Sequence, residues 1–384
     1  MKILGIDIGA GTQDILLFDS EKKIENCISL VLPTPSKFLA EKLKGIVGHV
    51  YISGDTIGGG SLGRAILRHL QKGYRVVMEK SAAYSIRNDL DEVRSMGIEI
   101  GWEPESNHFQ ELEIREVDLP LLKDFLSKFG EDLKVNVIAV AVQDHGVSPK
   151  GVSDRAFRFE KMETMLRKDN RPETFHFTED SIPSYYLRMR SAVKAIRKIS
   201  STPVLVMDTS FSAILGCVEE AADPSLIVNV GNGHTIAALV MGRKIEGLYE
   251  HHTHELTPKK LEHDLSLFLR GELSGRKVFE ENGHGAITLK PCKGEVSIFV
   301  TGPNRDLFKG TGMQFIYAAP GGNTMMTGPM GLVRAAQYWI STKFQTLEGI
   351  EQRAESRRQK AEGREQKAES RRQRAEGRKQ KKIT

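Results

Sequence analysis

Eight residues near the start of the chain, DIGAGTQD (7–14), set a carboxylate, two glycines and further polar side chains directly after an apolar run. Gly9 and Gly11 permit positive φ and a close approach of backbone to a ligand. A turn of that kind exposes backbone N–H groups as a nest for an anion, and phosphate suits it. Asp7 would then hold a Mg²⁺ ion directly or through water, because that hard cation takes carboxylate and phosphate oxygens. Thr12 and Gln13 add side-chain donors. Taken alone, the same residues also suit an ordinary hairpin with a glycine bulge.

A second copy shifts that balance. LIVNVGNGHTIAALVM (226–241) repeats the design of ILGIDIGAGTQDILLF (3–18). A displacement of 222 residues lays Asn229, Gly231 and Gly233 on Asp7, Gly9 and Gly11, with Thr235 opposite Gln13. A displacement of 221 lays RKIE (243–246) on KKIE (22–25). Two such loops, one from each half of the chain, would face each other and grip the two ends of a phosphate chain. A phosphate chain with Mg²⁺ is the ligand this pattern asks for.

The paired loops resemble the actin–hexokinase–heat-shock-chaperone superfamily of ATPases and sugar kinases, whose phosphate loops open each half. The resemblance implies an α/β fold: two ribonuclease-H-like lobes of the actin/hexokinase type with an ATP cleft between them. IFVTGPNRDLF (298–308) and GGNTMMTGPMGLVRAA (321–336) stand where the adenosine region belongs and resemble that of FGGY-type carbohydrate kinases. Gly302 and Gly328 would there flank the base and ribose. TPVLVMDTSFSAILGCVEE (202–220) occupies the place of those kinases' strand, catalytic Asp and helix, with VLVM where they carry glycines. Asp208 is the matching residue. It is either a base toward an attacking hydroxyl or water, or a cap of the helix that follows. AVAVQDHG (139–146) and SDR (153–155) resemble the substrate-contacting stretch, which makes Asp144 and His145 further candidates.

Over residues 1–340 the chain is similar to an uncharacterised family of this superfamily, often labelled pyruvate formate-lyase activating protein-like. DIGAGTQD, SGDTIGGG, AVQDHG, SDRAFRF, EHHT and MMTGPMGL carry that similarity. The label's chemistry does not follow. A radical S-adenosylmethionine activase needs thiolates spaced CxxxCxxC, whereas Cys27, Cys217 and Cys292 lie far apart.

Two other patterns compete. GGGSLG (58–63) is a formal GxGxxG ahead of a helix, with Glu79 some 20 residues on, as a dinucleotide site asks. SGDTI separates it from its strand, so in the kinase-like reading this segment and Asp55 line the cleft instead. EHHTHE (250–255), with His284, offers either imidazoles for Zn²⁺ or a polar rim.

The elements that must position these groups read as strands and helices in alternation. Strands are expected at 2–8, 13–19, 24–32, 50–53, 74–79, 135–142 and 204–207, and at 296–300 after the second hairpin. Helices are expected at 36–47, 62–72, 119–130, 184–199, 212–221, 257–270 and 329–340. Continuous apolar strands imply a sheet covered on both faces, hence α/β. The expected organisation is an N-terminal lobe with insertions (1–222), a C-terminal lobe (223–343) and a tail (344–384). From Ala354 the tail repeats AESRRQK-AEGREQK with Ala as its one apolar position, too little for a coiled-coil seam. It should be solvated or disordered.

Charge follows the same division. Residues 351–384 hold 13 Lys or Arg against 6 Asp or Glu, a net of +7 in a chain of net +5, so the first 350 residues carry −2. The body has no polyanion signature, and contact with nucleic acid falls to the basic tail alone. No signal peptide or membrane span is expected, and the sparse cysteines suit a reducing, cytoplasmic setting. The expectation is an ATP·Mg²⁺-dependent phosphotransferase or ATPase acting on an unidentified small molecule. A nucleotide-dependent switch acting on a protein partner is the alternative, and a dinucleotide-binding protein a more distant one.

Overall fold

The opening alternation of apolar residues folds into a meander of β1 (Lys2–Ile8), β2 (Thr12–Asp19) and β3 (Ile28–Pro33), each antiparallel to the next. This is a computed structural model, and it describes residues 1–102, 104 and 108–343. The tail expected at 344–384 lies outside the described residues. Met1–Ala336 form one unit and the residues from Gln337 another.

After β3 the chain builds a separate parallel sheet. Its strands are β4 (His49–Gly54), β5 (Val76–Met78), β6 (Glu99–Ile100) and β7 (Phe109–Ile114), in the order β6-β5-β4-β7. It then returns to the first sheet with β8 (Val137–Val142), whose VIAVAV is buried throughout and lies parallel to β1. β9 (His176–Thr178) and β10 (Val204–Met207) complete the order β3-β2-β1-β8-β10-β9.

The plan then restarts. β11 (Ser225–Val230), β12 (His234–Met241) and β13 (Lys244–His252) form a second meander. β14 (Gly285–Thr288), β15 (Ser297–Thr301) and β16 (Ile316–Tyr317) complete the order β14-β13-β12-β11-β15-β16. In each sheet the first meander strand carries two parallel strands on its free side: β8 and β10 beyond β1, β15 and β16 beyond β11. That doubled order is the two-lobed, actin-like α/β architecture.

Two glycines let the lobes' helices meet at backbone distance. A Cβ on Gly216, in the helix Thr209–Val218, would stand 1.8 Å from the Thr327 carbonyl oxygen. One on Gly331, in the helix that begins at residue 327, would stand 1.8 Å from the Ser212 carbonyl. The KKIE and RKIE match has no structural counterpart. Ile24–Asn26 is a single 3₁₀ turn, whereas Lys244 opens β13. Among the described residues, no helix is long and apolar enough to cross a membrane.

Candidate functional site

The two glycine hairpins have the same backbone. Gly9 N–H donates to the Thr12 carbonyl at 2.9 Å, and Gly231 N–H donates to the His234 carbonyl at 2.9 Å. They face each other and touch, for a Cβ on Gly11 would fall 2.3 Å from Asn232 Nδ2. The cavity between them is about 90 Å³, walled by Asp7, Thr12 and Asp14 on one side and Asn229, Asn232 and His234 on the other. Gly302 shapes its floor at φ 95°, where a Cβ would collide with the Val230 carbonyl at 2.4 Å. A ligand pocket for a molecule of ATP's size needs several hundred Å³, so the loops stand closed on each other.

Asp7 and Asp14 are direct cross-strand partners in the β1–β2 ladder. Like charges in that position destabilise a hairpin unless something lies between them. Oδ1 of each is buried with no hydrogen-bond partner. Burial pushes the Asp7 carboxyl well above the usual carboxylate range, and the charges of Asp14 and Asp208 push it further. Burial pushes Asp14 up to about 6. Two orphaned, acceptor-only oxygens form an environment that a hard divalent cation completes. The residues present therefore fit Mg²⁺.

Strand alternation decides which of the expected residues reach this cavity. Thr12 and Asp14 point into it, and Gln13 between them points away, its Nε2 donating to the Pro33 carbonyl at 3.0 Å. Gln13 is thus corrected out of the site, and Asp14 enters it unforeseen. Gly9, Gly231, Gly233 and Gly302 line the cavity, and Gly11 sits at the loop contact. Thr235 is fully buried and pairs with the Thr253 hydroxyl at 3.0 Å, while Thr253 donates to the Gly231 carbonyl. It supports the second loop from behind. Gly328 packs against the first hairpin: a Cβ there would lie 1.8 Å from Asp7 Oδ2, so its bareness admits the carboxylate.

The two candidate bases are both committed elsewhere. Asp144 accepts from the backbone N–H groups of Gly146, Arg188 and Met189 and so fixes the loop after β8. Asp208 caps its helix through the Ser210 N–H and binds the Arg158 guanidinium at 2.7 and 3.1 Å. Burial alone would raise Asp208, but Arg158 overrides it and holds the carboxyl below its ordinary value. A carboxylate held that way is a weak proton acceptor.

Arg158 itself was not foreseen. It stands fully inside the protein on the helix Asp154–Lys168, whose polar sequence gives little amphipathic signal. Besides Asp208 in the first lobe it binds both oxygens of buried Glu250 on β13 in the second, at 2.9–3.0 Å. One cation thereby ties two carboxylates from opposite lobes.

A second chamber of about 410 Å³ shares Gly9, Ala10 and Gln143 with the phosphate-sized cavity. Gly58, Gly59 and Gly60 line it at the start of the helix Gly60–Gln71, together with Arg87 and Arg188. The helix N-terminus favours an anion, whereas the Arg188 guanidinium is already paired with Glu116 at 2.6 Å and Arg87 lies 3.9 Å from Glu92. The dinucleotide reading of this glycine segment is weakened, because the Glu79 carboxylate accepts the Gly54 N–H at 2.9 Å and does not stand free for a ribose.

The chain matches no curated protein. Among solved structures it is similar to ethanolamine utilization protein EutJ from Carboxydothermus hydrogenoformans, at 10% identity over 86% of this chain and 89% of that one, with TM-score 0.31. The PilM-PilN type IV pilus biogenesis complex shows 11% identity over 87% and 98%, with TM-score 0.37. MreB 5 of Spiroplasma citri bound to AMPPNP shows 10% identity over 91% and 98%, with TM-score 0.33. The family described as "Putative pyruvate format-lyase activating enzyme (DUF1786)" matches residues 57–307. Cys27, Cys217 and Cys292 are free thiols, the first two buried, and no CxxxCxxC spacing joins them. By the span of that match, the chain belongs to the DUF1786 family.

Proposed function

We propose that the protein binds ATP·Mg²⁺ between its two glycine hairpins and transfers the terminal phosphoryl group to a small anionic molecule in the adjoining chamber. The observation that carries this reading is the Asp7–Asp14 pair, one oxygen of each orphaned, in a cavity between two backbone nests that adjoins a pocket of about 410 Å³. The nests would bind phosphate oxygens, and Asp7 and Asp14 would hold the cation, with Thr12 hydrogen-bonded to Asp14. Mg²⁺ supplies neutralisation of phosphate charge. Gln143, which faces both chambers, would orient the attacking oxygen. In-line phosphoryl transfer needs positioning and charge compensation more than a strong base, which agrees with the engaged state of Asp208 and Asp144.

The closed loops imply that the lobes part to admit nucleotide, a hinge motion common to such clefts. A protein-directed switch would share that motion but has no use for the second chamber, which favours a small-molecule acceptor. The dispersed free thiols suit the cytoplasm.

A thermal-shift series tests the nucleotide. ATP with Mg²⁺ at about 100 times its Kd should stabilise the fold by about 2.7 kcal/mol, and NAD should leave the melting temperature unchanged. Stabilisation by NAD and not by ATP would reverse the assignment.

A further inference from the structure

His145, His234 and His284 come from three separate segments, and their ring nitrogens converge to within 4.8 Å of one another. His145 follows Asp144 on the loop after β8, His234 opens β12 at the end of the second hairpin, and His284 immediately precedes β14. The rings crowd edge to face or stacked, with centroids 4.7–5.8 Å apart. His145 Nε2, His234 Nε2 and both nitrogens of His284 are buried without any hydrogen-bond partner. An imidazole left so is costly, since each buried polar atom forfeits its water. Three together need a common partner.

The surroundings say which kind. A buried imidazole with no charged partner is favoured in its neutral form, which offers a lone pair to a metal. Just beneath them Arg158 is outnumbered by Asp208 and Glu250, leaving that buried triad one negative charge in excess. The glycines on either side of His284 leave no room for side chains: a Cβ on Gly283 would stand 2.6 Å from His251, and one on Gly285 2.6 Å from Phe159. Gln143 lies 2.5 Å from His234 Nδ1. As placed, the amide Nε2 faces that nitrogen; with the amide flipped so that its oxygen faces it instead, Nδ1 keeps the proton and His234 Nε2 presents its lone pair to the cluster, an outer-shell contact typical of metal-bound histidine.

We propose that His145, His234 and His284 bind a divalent transition metal of the Zn²⁺ class, in the wall between the phosphate cavity and the second chamber. Three neutral imidazoles suit Zn²⁺ and not Mg²⁺. Zn–N bonds of about 2.0–2.1 Å put tetrahedral nitrogens roughly 3.3 Å apart, so side-chain rotation must draw the ligands in by about an ångström. With three protein ligands the fourth position belongs to water or to an oxygen of the acceptor. Because His145 comes from the first lobe and the other two from the second, the metal also ties the lobes together. Of the EHHTHE and His284 pattern, His284 joins this cluster and the His252 ring packs against it, while His254 projects into solvent on the turn after β13.

The test uses the full chain stripped with EDTA and needs no nucleotide, so it stands or falls separately from the phosphotransfer reading. Zn²⁺ titrated alone should bind at one ion per chain and raise the melting temperature, while Mg²⁺ alone should not compete. Co²⁺ in its place should give the intense visible bands of a tetrahedral site. His145→Ala and His284→Ala should each weaken Zn²⁺ binding at least 100-fold, and His254→Ala should match the parent. The Co²⁺ spectrum of the parent keeps the test decisive even if a variant fails to fold. A parent that binds no Zn²⁺, or folded His145→Ala and His284→Ala proteins with parental affinity, would overturn the proposal.

Discussion

The first and second glycine hairpins share a backbone and differ in side chains. Both close through the same four-residue turn, and both present amides across the same cavity. Where the first carries Asp7 and Asp14 as cross-strand partners, the second carries Asn229 and Ile236 in the same ladder positions. Phosphate is recognised by backbone, so a clamp needs that geometry twice. A cation is recognised by carboxylates, and one set suffices. A second set would add repulsion against the phosphates without a second ion to offset it. The second hairpin has instead placed His234 at its last turn position, beside two other histidines. Duplicated backbone with diverged side chains is what a symmetric grip on an asymmetric ligand requires.

The largest effect should come from the residue that joins the two lobes behind these loops. Arg158→Ala leaves Asp208 and Glu250 buried without their cation, and removing one partner of such a network costs about 3–5 kcal/mol. Chemical denaturation of parent and variant measures it. A loss under about 1 kcal/mol would mean that water reaches those carboxylates and that the lobes are not tied there.

A smaller effect, confined to the first hairpin, is a pH dependence. Asp14 has a folded value of about 6, above the ordinary value near 3.9, so the folded state holds its proton longer than the unfolded state does. Its contribution is therefore fully present below about pH 4, declines as pH rises to about 6, and is level beyond, for a total of about 3 kcal/mol. Asp7, also raised, carries the decline further upward. Urea titrations from pH 4 to 7.5 should show this slope in the parent and a shallower one in Asp14→Asn. Mg²⁺ should flatten the parent's slope. Identical slopes in parent and Asp14→Asn would show that the pair is solvated and no cation site.

Much of this was legible in the sequence because the relevant signals are local. Apolar runs gave β1, β8 and β11, and the glycine spacing located both turns. The spacing cannot say which side chains of a strand share a face until register is known, so Gln13 looks like a site residue in the sequence and Asp14 draws no notice. Asp208 carried two local readings, base and helix cap. Only the long-range contact with Arg158, 50 residues away in sequence, shows its carboxylate engaged. Arg158 itself lay inside SDRAFRF, on a helix too polar to look buried. The histidine cluster was equally hidden, because its members are separated by 89 and 50 residues and meet only when the lobes are assembled. The four-stranded insertion sheet was read as part of a continuous alternation, since parallel strands with intervening helices look the same whichever sheet they join.

The central claim is that the first hairpin, and not the second, holds the cation that accompanies the nucleotide. Isothermal titration of a non-hydrolysable ATP analogue, with and without Mg²⁺, into parent, Asp7→Asn and Asn229→Ala proteins tests it directly. Mg²⁺ should strengthen binding to the parent and to Asn229→Ala alike. Asp7→Asn should lose that Mg²⁺ enhancement while still binding the analogue weakly through backbone amides. An Asp7→Asn protein that keeps the full Mg²⁺ enhancement, or an Asn229→Ala protein that loses it, would contradict the account.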